Sequence, residues 1–144
     1  MSSKPSAETT PPPKPVPLMS EGTRPFWEGC KAHKLMIQQC QDCQGWVYYP
    51  RVLCTHCHSD RLEWRQASGR GVIYSYTVCH RPAGPAFKGD VPYVVALIDL
   101  EEGPRMLSNI RTGDPASVKI GLPVQVVFEP IDDEHTLPKF ELVG

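Results

Sequence analysis

Four of the six cysteines form two C-x2-C pairs, Cys40-Gln41-Asp42-Cys43 and Cys54-Thr55-His56-Cys57, with ten residues between them. Each pair can make a tight turn that aims two thiolates at one ion. Four thiolates then close a tetrahedron with no open position, the geometry of a structural zinc site. Ten residues suffice for a short hairpin that carries one knuckle back to the other. The intervening Gly45, Trp46-Val47-Tyr48-Tyr49 and Pro50 read that way. Three other uses of the residues stay open. The pairs could oxidise to two disulfides. Four thiolates also suit iron, as in an electron carrier. His56 or His58, which flank Cys57, could replace one thiolate.

Other chemistry-bearing groups are weaker. Cys79-His80 has the residue types of a nucleophile and base, but neighbours on a strand point to opposite faces. Cys79 is therefore expected to be structural. Asp132, Asp133, Glu134 and His135 are acidic enough for a hard cation, yet read better as a solvated hairpin tip. No Gly-rich phosphate loop is present. The stretch from His80 to Val91 is long for a hairpin connection, which favours a role in binding. It combines Phe87 with the cations Arg81 and Lys88. Arg51, Arg61, Arg65 and Arg70 form a scattered basic set suited to phosphate, whether of coenzyme A or of nucleic acid.

These residues need elements to hold them. The chain has 144 residues, a net charge of −1 and 40% hydrophobic residues, enough for a core but without the charge of a strongly basic nucleic-acid binder. Residues 1–20 hold six of the sixteen prolines and few apolar anchors. They are expected to be a disordered tail. Residues 21–38 carry Phe26, Trp27, Cys30, His33, Lys34 and Ile37 at helical spacing, with Pro25 suited to a first turn, and Leu35, Met36 and Ile37 lead in a helix end or short strand into the first knuckle. That helix either packs on its own domain or docks through Phe26 and Trp27 on a partner subunit. Residues 39–66 form the metal ribbon and end in an alternating strand at Leu62–Gln66. From 67 to 144 the sequence becomes a run of strands. Gly71–Cys79 alternates, with Val72, Tyr74, Tyr76 and Val78 on one face. Pro92–Leu100 is apolar on both faces. Arg105–Arg111, Val124–Phe128 and Leu137–Val143 follow, with a helical turn at Asp114-Pro115. Five strands in so short a stretch predict a closed barrel, and the helical insert after the third strand fits the OB fold. The fold class is thus mostly β. No apolar run is long enough to cross a bilayer, and the N-terminus lacks the apolar stretch of a signal peptide. A cytoplasmic location, where thiolates stay reduced, is expected.

Phe26-Trp27-Glu28, Leu35, Gln38-x-Cys40-x2-Cys43, Cys54-x2-Cys57, Ser68-Gly69-x-Gly71-x-Ile73-Tyr74-Ser75-Tyr76-Thr77, Pro92-Tyr93 and Ile120-Gly121-x-Pro123-Val124 occur in that order. Over residues 24–143 this series resembles the rubredoxin-like zinc-ribbon plus OB-fold proteins that accompany thiolases and other acyl-CoA enzymes. The resemblance implies an N-terminal helical segment, a four-cysteine zinc ribbon and a C-terminal OB barrel. It also implies a non-catalytic accessory subunit whose partner is a thiolase-like or other acyl-CoA enzyme chain, as relatives resemble partners of thiolase, acetyltransferase, aldolase and hydratase chains. Gln44 departs from the pattern, since glycine commonly follows the first knuckle.

On this resemblance the chain is expected to be inactive alone and to join a hetero-oligomer through Phe26 and Trp27. The loop from Arg81 to Lys88 would then meet an acyl-CoA, the cations serving its phosphates and Phe87 its pantetheine. The competing reading is a single-stranded nucleic-acid binder in which Trp46, Tyr48 and Tyr49 stack bases.

Overall fold

The computed structural model describes residues 13–143. Helix α1 (Arg24–Lys31) starts after Thr23 with Pro25 in its first turn, where a missing N–H leaves no orphan. It is far shorter than the apolar spacing over 21–38 predicts. The chain leaves it through a Schellman turn. The Lys34 amide donates to the Gly29 carbonyl at 2.8 Å and the His33 amide to that of Cys30 at 3.0 Å, with His33 at φ 62°. Gly29 is required there: a Cβ would meet the Lys34 carbonyl oxygen at 2.9 Å and Met36 Cγ at 2.5 Å.

The chain then enters a three-stranded antiparallel ribbon. Strand β1 (Met36–Cys40) is central, between β2 (Trp46–Val47) and β3 (Leu62–Gln66). At the exit from the ribbon, the Ser68 amide donates to Glu102 Oε2 at 2.8 Å. Gly69, at φ 82°, accepts from the Val126 amide at 2.7 Å. A Cβ at Gly69 would meet Val126 Cγ1 at 2.5 Å, so only glycine lets the two backbones approach.

Five strands close the barrel: β4 (Arg70–Cys79), β5 (Tyr93–Leu100), β6 (Arg105–Ile110), β7 (Pro123–Pro130) and β8 (Thr136–Leu142). Their order is β4-β5-β6-β8-β7, with β7 returning to β4. A 3-10 turn at Pro115–Ser117 follows the third barrel strand, held by the Asp114 side chain accepting from the Ala116 amide. All neighbours are antiparallel except β6 and β8, which run parallel and meet at the single pair Ile110–Phe140. The barrel therefore has the OB arrangement anticipated from the strand count.

Two strand expectations need correction. In β4 the register slips between Ile73 and Ser75, leaving Tyr74 as the extra residue of a bulge. A bulge moves the following side chains to the other face. Ile73 is buried ahead of it, whereas Tyr76 and Val78 pack inward beyond it and Val72 and Tyr74 face solvent. The four do not share a face. In β5, burial alternates strictly. Val94, Ala96, Ile98 and Leu100 point inward, and the outer Val95 and Leu97 are half-buried.

One core runs from α1 into the barrel, joining Phe26, Trp27, Cys30, Leu35 and Ile37 to Ile73, Ile98, Met106 and Phe140. Phe26 is 1% exposed and Trp27 7%. Both rings pack edge-on within an aromatic group that includes Tyr48 and Tyr49, and Trp27 Nε1 donates to the Tyr49 hydroxyl at 3.2 Å. They are core residues in this chain, so they offer no exposed anchor for a partner. Of the proline-rich tail, residues 1–12 lie outside the described residues. Residues 13–20 have no helix or strand but touch the fold. Lys14 pairs with Asp90 and lies over the Phe87 ring, and Met19 packs on the core. No helix among the described residues is long and apolar enough to cross a membrane.

Candidate metal centre and barrel cavity

Both knuckles are built alike. In each, a residue after the second cysteine turns the chain with positive φ: Gln44 at 66° and His58 at 64°. Its amide donates to the carbonyl of the first cysteine at 3.0 Å, Gln44 to Cys40 and His58 to Cys54. Gln44 thus fills the left-handed position that glycine commonly takes, and its side chain adds a bond to the Gln41 carbonyl at 3.0 Å. Gly45 answers another demand. A Cβ there would strike the His56 ring at 2.5 Å. The backbone also aims N–H groups at sulfur. Asp42 and Cys43 donate to Cys40 Sγ at 3.4 and 3.5 Å, His56 to Cys54 Sγ at 3.3 Å, and Gly45 to Cys43 Sγ at 3.4 Å.

The four sulfurs lie within 4.8 Å of one another, and the Cys40–Cys57 and Cys43–Cys54 separations are both 3.6 Å. A disulfide needs about 2.05 Å, so these are not bonded pairs. A tetrahedron with metal–sulfur bonds of about 2.3 Å has edges of about 3.8 Å, which this spacing fits. The thiols respond to the same geometry. The Cys43 amide, aided by that of Asp42, pulls the Cys40 thiol down to about 6. The Cys57 amide likewise lowers Cys54. The Ser59 amide pulls Cys57 down too, but lost hydration and the other three thiols outweigh it and hold that thiol at about 12. Thiols crowded this closely cannot all ionise without a cation among them. His56 is not needed as a ligand, because its Nε2 meets the Trp46 carbonyl at 3.2 Å. The knuckles are tied together at the surface by Arg61 and Ser59, both donating to Asp42.

The two remaining cysteines stand apart. Cys30 is buried in α1, and burial pushes its thiol up to about 12. Cys79 ends β4 opposite Tyr93. Neither Cys79 nor His80 makes a side-chain hydrogen bond among the described residues, so no dyad forms. In the acidic cluster, Asp132 accepts from the Glu134 and His135 amides at 2.7 Å and from the His135 ring, which makes it a turn-former.

The β4–β5 connection contains a 3-10 helix, Pro85–Asp90, that sets Phe87 6.4 Å from the Tyr93 ring. These two rings line a cavity of about 320 Å³ at the mouth between β5, β6 and β8. Its walls include Ile110 and Leu137. The cations that border it are Lys14, Arg111 and Lys139, the last held by Glu129 at 2.7 Å. Of the three loop residues expected to meet a ligand, the fold brings Phe87 to the cavity and leaves Arg81 and Lys88 exposed on the loop beyond it. Arg111 and Lys139 have no local signature in the sequence. They become neighbours only through the parallel β6–β8 closure. The remaining arginines of the basic set are mostly committed elsewhere. Arg61 pairs with Asp42, Arg65 with Glu63 and Arg70 with Glu101. Tyr48 and Tyr49 pack against α1, and burial raises the Tyr48 phenol above its usual range, so the stacking platform for bases is not presented.

A short helix, a four-cysteine ribbon and a five-stranded barrel define a zinc-ribbon plus OB-fold protein. Residues 27–63 match the ChsH2 rubredoxin-like zinc ribbon domain and residues 64–129 the ChsH2 C-terminal OB-fold domain. The chain belongs to this ChsH2 (DUF35) family. It is 41% identical over 118 residues to the 3-oxo-4,17-pregnadiene-20-carboxyl-CoA hydratase alpha subunit of Mycobacterium tuberculosis, covering 81% of this chain and 37% of that one. It is 38% identical over 119 residues to a DUF35 domain-containing scaffold protein of Methanothermobacter thermautotrophicus, covering 81% and 88%. Among solved structures, a chain of the Ltp2-ChsH2(DUF35) aldolase superimposes with a TM-score of 0.78 at 37% identity, covering 88% of this chain and 98% of that one. The chain spans less than two fifths of the length of the curated hydratase alpha subunits that it matches.

Proposed function

We propose that this chain is a non-catalytic accessory subunit of an acyl-CoA-processing complex, with a thiolase-like enzyme chain as its partner. The observation that supports the reading most is the match to a chain of the Ltp2-ChsH2(DUF35) aldolase, 98% of which this protein covers. The relatives named as a hydratase alpha subunit and as scaffold proteins support the same class.

In this reading Cys40, Cys43, Cys54 and Cys57 hold one zinc ion. Zinc supplies no chemistry in a closed four-thiolate shell and serves to fold the ribbon. The barrel lies beside the partner's active-site entrance. Phe87 and the apolar wall of the cavity receive the pantetheine arm of an acyl-CoA, while Arg81 and Lys88 meet its phosphates.

The test is co-expression with the partner, size-exclusion chromatography, and kinetics on the complex. This chain alone should be inactive. Arg81→Ala with Lys88→Ala should leave assembly intact and raise the KM for acyl-CoA about ten-fold, the loss expected for two exposed phosphate contacts. Turnover by the isolated chain would overturn the accessory role. A loop variant with wild-type KM would move the coenzyme contact elsewhere.

A further inference from the structure

The segment Pro50-Arg51-Val52-Leu53 connects the two knuckles. Val52 is 82% exposed and Leu53 50%. Lone exposed aliphatic residues are ordinary on protein surfaces, and Val16 and Leu18 are of that kind, in a stretch with no helix or strand. The pair at 52–53 differs because it is held at both ends. On one side Cys54 is buried in the second knuckle, its amide donating to the Ser59 carbonyl at 2.8 Å. On the other, the buried Gln38 of β1 grips the backbone of Arg51 twice. Its Oε1 accepts from the Arg51 amide at 2.8 Å and its Nε2 donates to the Arg51 carbonyl at 3.0 Å. A polar side chain buried in the ribbon is thus spent on fixing the loop that displays two aliphatic groups to water. A surface fixed in advance loses little conformational entropy when it binds.

Charge narrows the occupant. Among the described residues, Arg61 and Arg65 are paired with ribbon carboxylates, whereas the Arg51 side chain has no ion pair. An unpaired guanidinium beside two aliphatic side chains complements an apolar pocket with a carboxylate on its rim. We propose that Arg51, Val52 and Leu53 form the edge by which this subunit docks on its acyl-CoA enzyme, the aliphatic pair entering such a pocket and Arg51 pairing with its rim. This rests on the accessory-subunit reading and assigns to the ribbon the docking that Phe26 and Trp27, buried in the core, do not offer.

The test uses the tagged full chain produced in its own host, with the bound acyl-CoA enzyme identified by mass spectrometry and then co-expressed. Val52→Asp with Leu53→Asp should weaken association about thirty-fold, the loss typical of a central interface anchor. Arg51→Glu should weaken it less. Ile120→Asp, at an exposed aliphatic residue of the barrel, should leave it within about two-fold. Metal content and thermal midpoint, unchanged in each variant, separate docking from folding. If the double variant loses its metal, a photocrosslinking benzoylphenylalanine at position 52 replaces it, and adducts to the enzyme chain are expected. A folded double variant that binds normally, loss of binding on Ile120→Asp instead, or no adduct from position 52 within an intact complex would each overturn the docking edge and leave the accessory role standing. A wild-type chain that brings down no acyl-CoA enzyme would overturn both.

Discussion

The ribbon and the barrel are both small β structures, yet different forces hold them. The barrel closes on Ile73, Val94, Ala96, Ile98, Met106, Val124 and Phe140, a core large enough to stabilise it by burial. Around the four gathered thiols the ribbon buries only Cys40, Val47 and Cys54, with Leu62 against them. So few apolar atoms cannot offset the entropy of ordering the two knuckles. One half of the molecule carries its stability in its side-chain volumes. The knuckle end of the ribbon, beyond Ile37 and Trp64 that pack on the shared core, leaves it to four sulfurs and whatever they bind.

The largest effect should follow from attacking those sulfurs. A structural zinc site contributes on the order of 10 kcal/mol to folding. Cys43→Ser, or removal of metal by a strong chelator, should collapse amide-exchange protection across β1 to β3 while β5 stays protected. A ribbon that keeps its protection without metal would erase the contrast. The converse change is Phe140→Ala in the barrel, expected to cost about 3–5 kcal/mol. Calorimetry should show a lower midpoint for the barrel, and elemental analysis an unchanged metal content.

A subtler break lies inside the ribbon. Gln38→Ala strips Arg51 of both backbone partners and should cost about 1–3 kcal/mol. Metal should remain bound, and trypsin should cut after Arg51 faster than in the wild type. The smallest effect concerns surface charge. Arg70 hydrogen-bonds to Glu101 and holds its carboxyl below the ordinary value of 4.5. A carboxyl with a depressed folded value adds stability above its unfolded value and loses it as pH falls through the folded one. Glu101→Gln should therefore lower stability slightly at neutral pH and flatten the acid limb, so that the two stability-versus-pH profiles meet at low pH. An identical acid limb in the variant would remove Glu101 from the account.

Much of this was legible in the residues. The C-x2-C pairs mark the four thiols that the fold gathers within 4.8 Å, because spacing alone brings two of them to each turn. The barrel strands show because Gly, Pro and Asp punctuate runs of β-formers. What failed had a tertiary cause. Phe26, Trp27, Cys30 and Ile37 do share an interior, but they reach it from a helix and a strand folded back on each other. Helical spacing cannot distinguish that from one long helix. The turn that separates them depends on Gly29 lying against Met36, and on His33 adopting positive φ with its ring stacked on Phe128 at 5.3 Å. The β4 bulge at Tyr74 is equally hidden, since an alternating sequence looks alternating whether or not one residue is skipped. The cavity's cations were invisible because Arg111, just past the end of β6, and Lys139, on β8, come together only when the barrel closes.

That closure also orders events in time. Antiparallel neighbours such as β4 and β5, or β7 and β8, zip from nearby connections. The parallel contact of β6 with β8 must wait until β7 has been laid down and β8 has returned, and a single pair, Ile110 with Phe140, then joins them. Loop-closure entropy is met before any contact there rewards it. The seam, with the still longer-range pairing of Gly71 in β4 to Val124 in β7, is thus a late commitment in the folding of the barrel, and these two closures should limit the rate at which the chain becomes native.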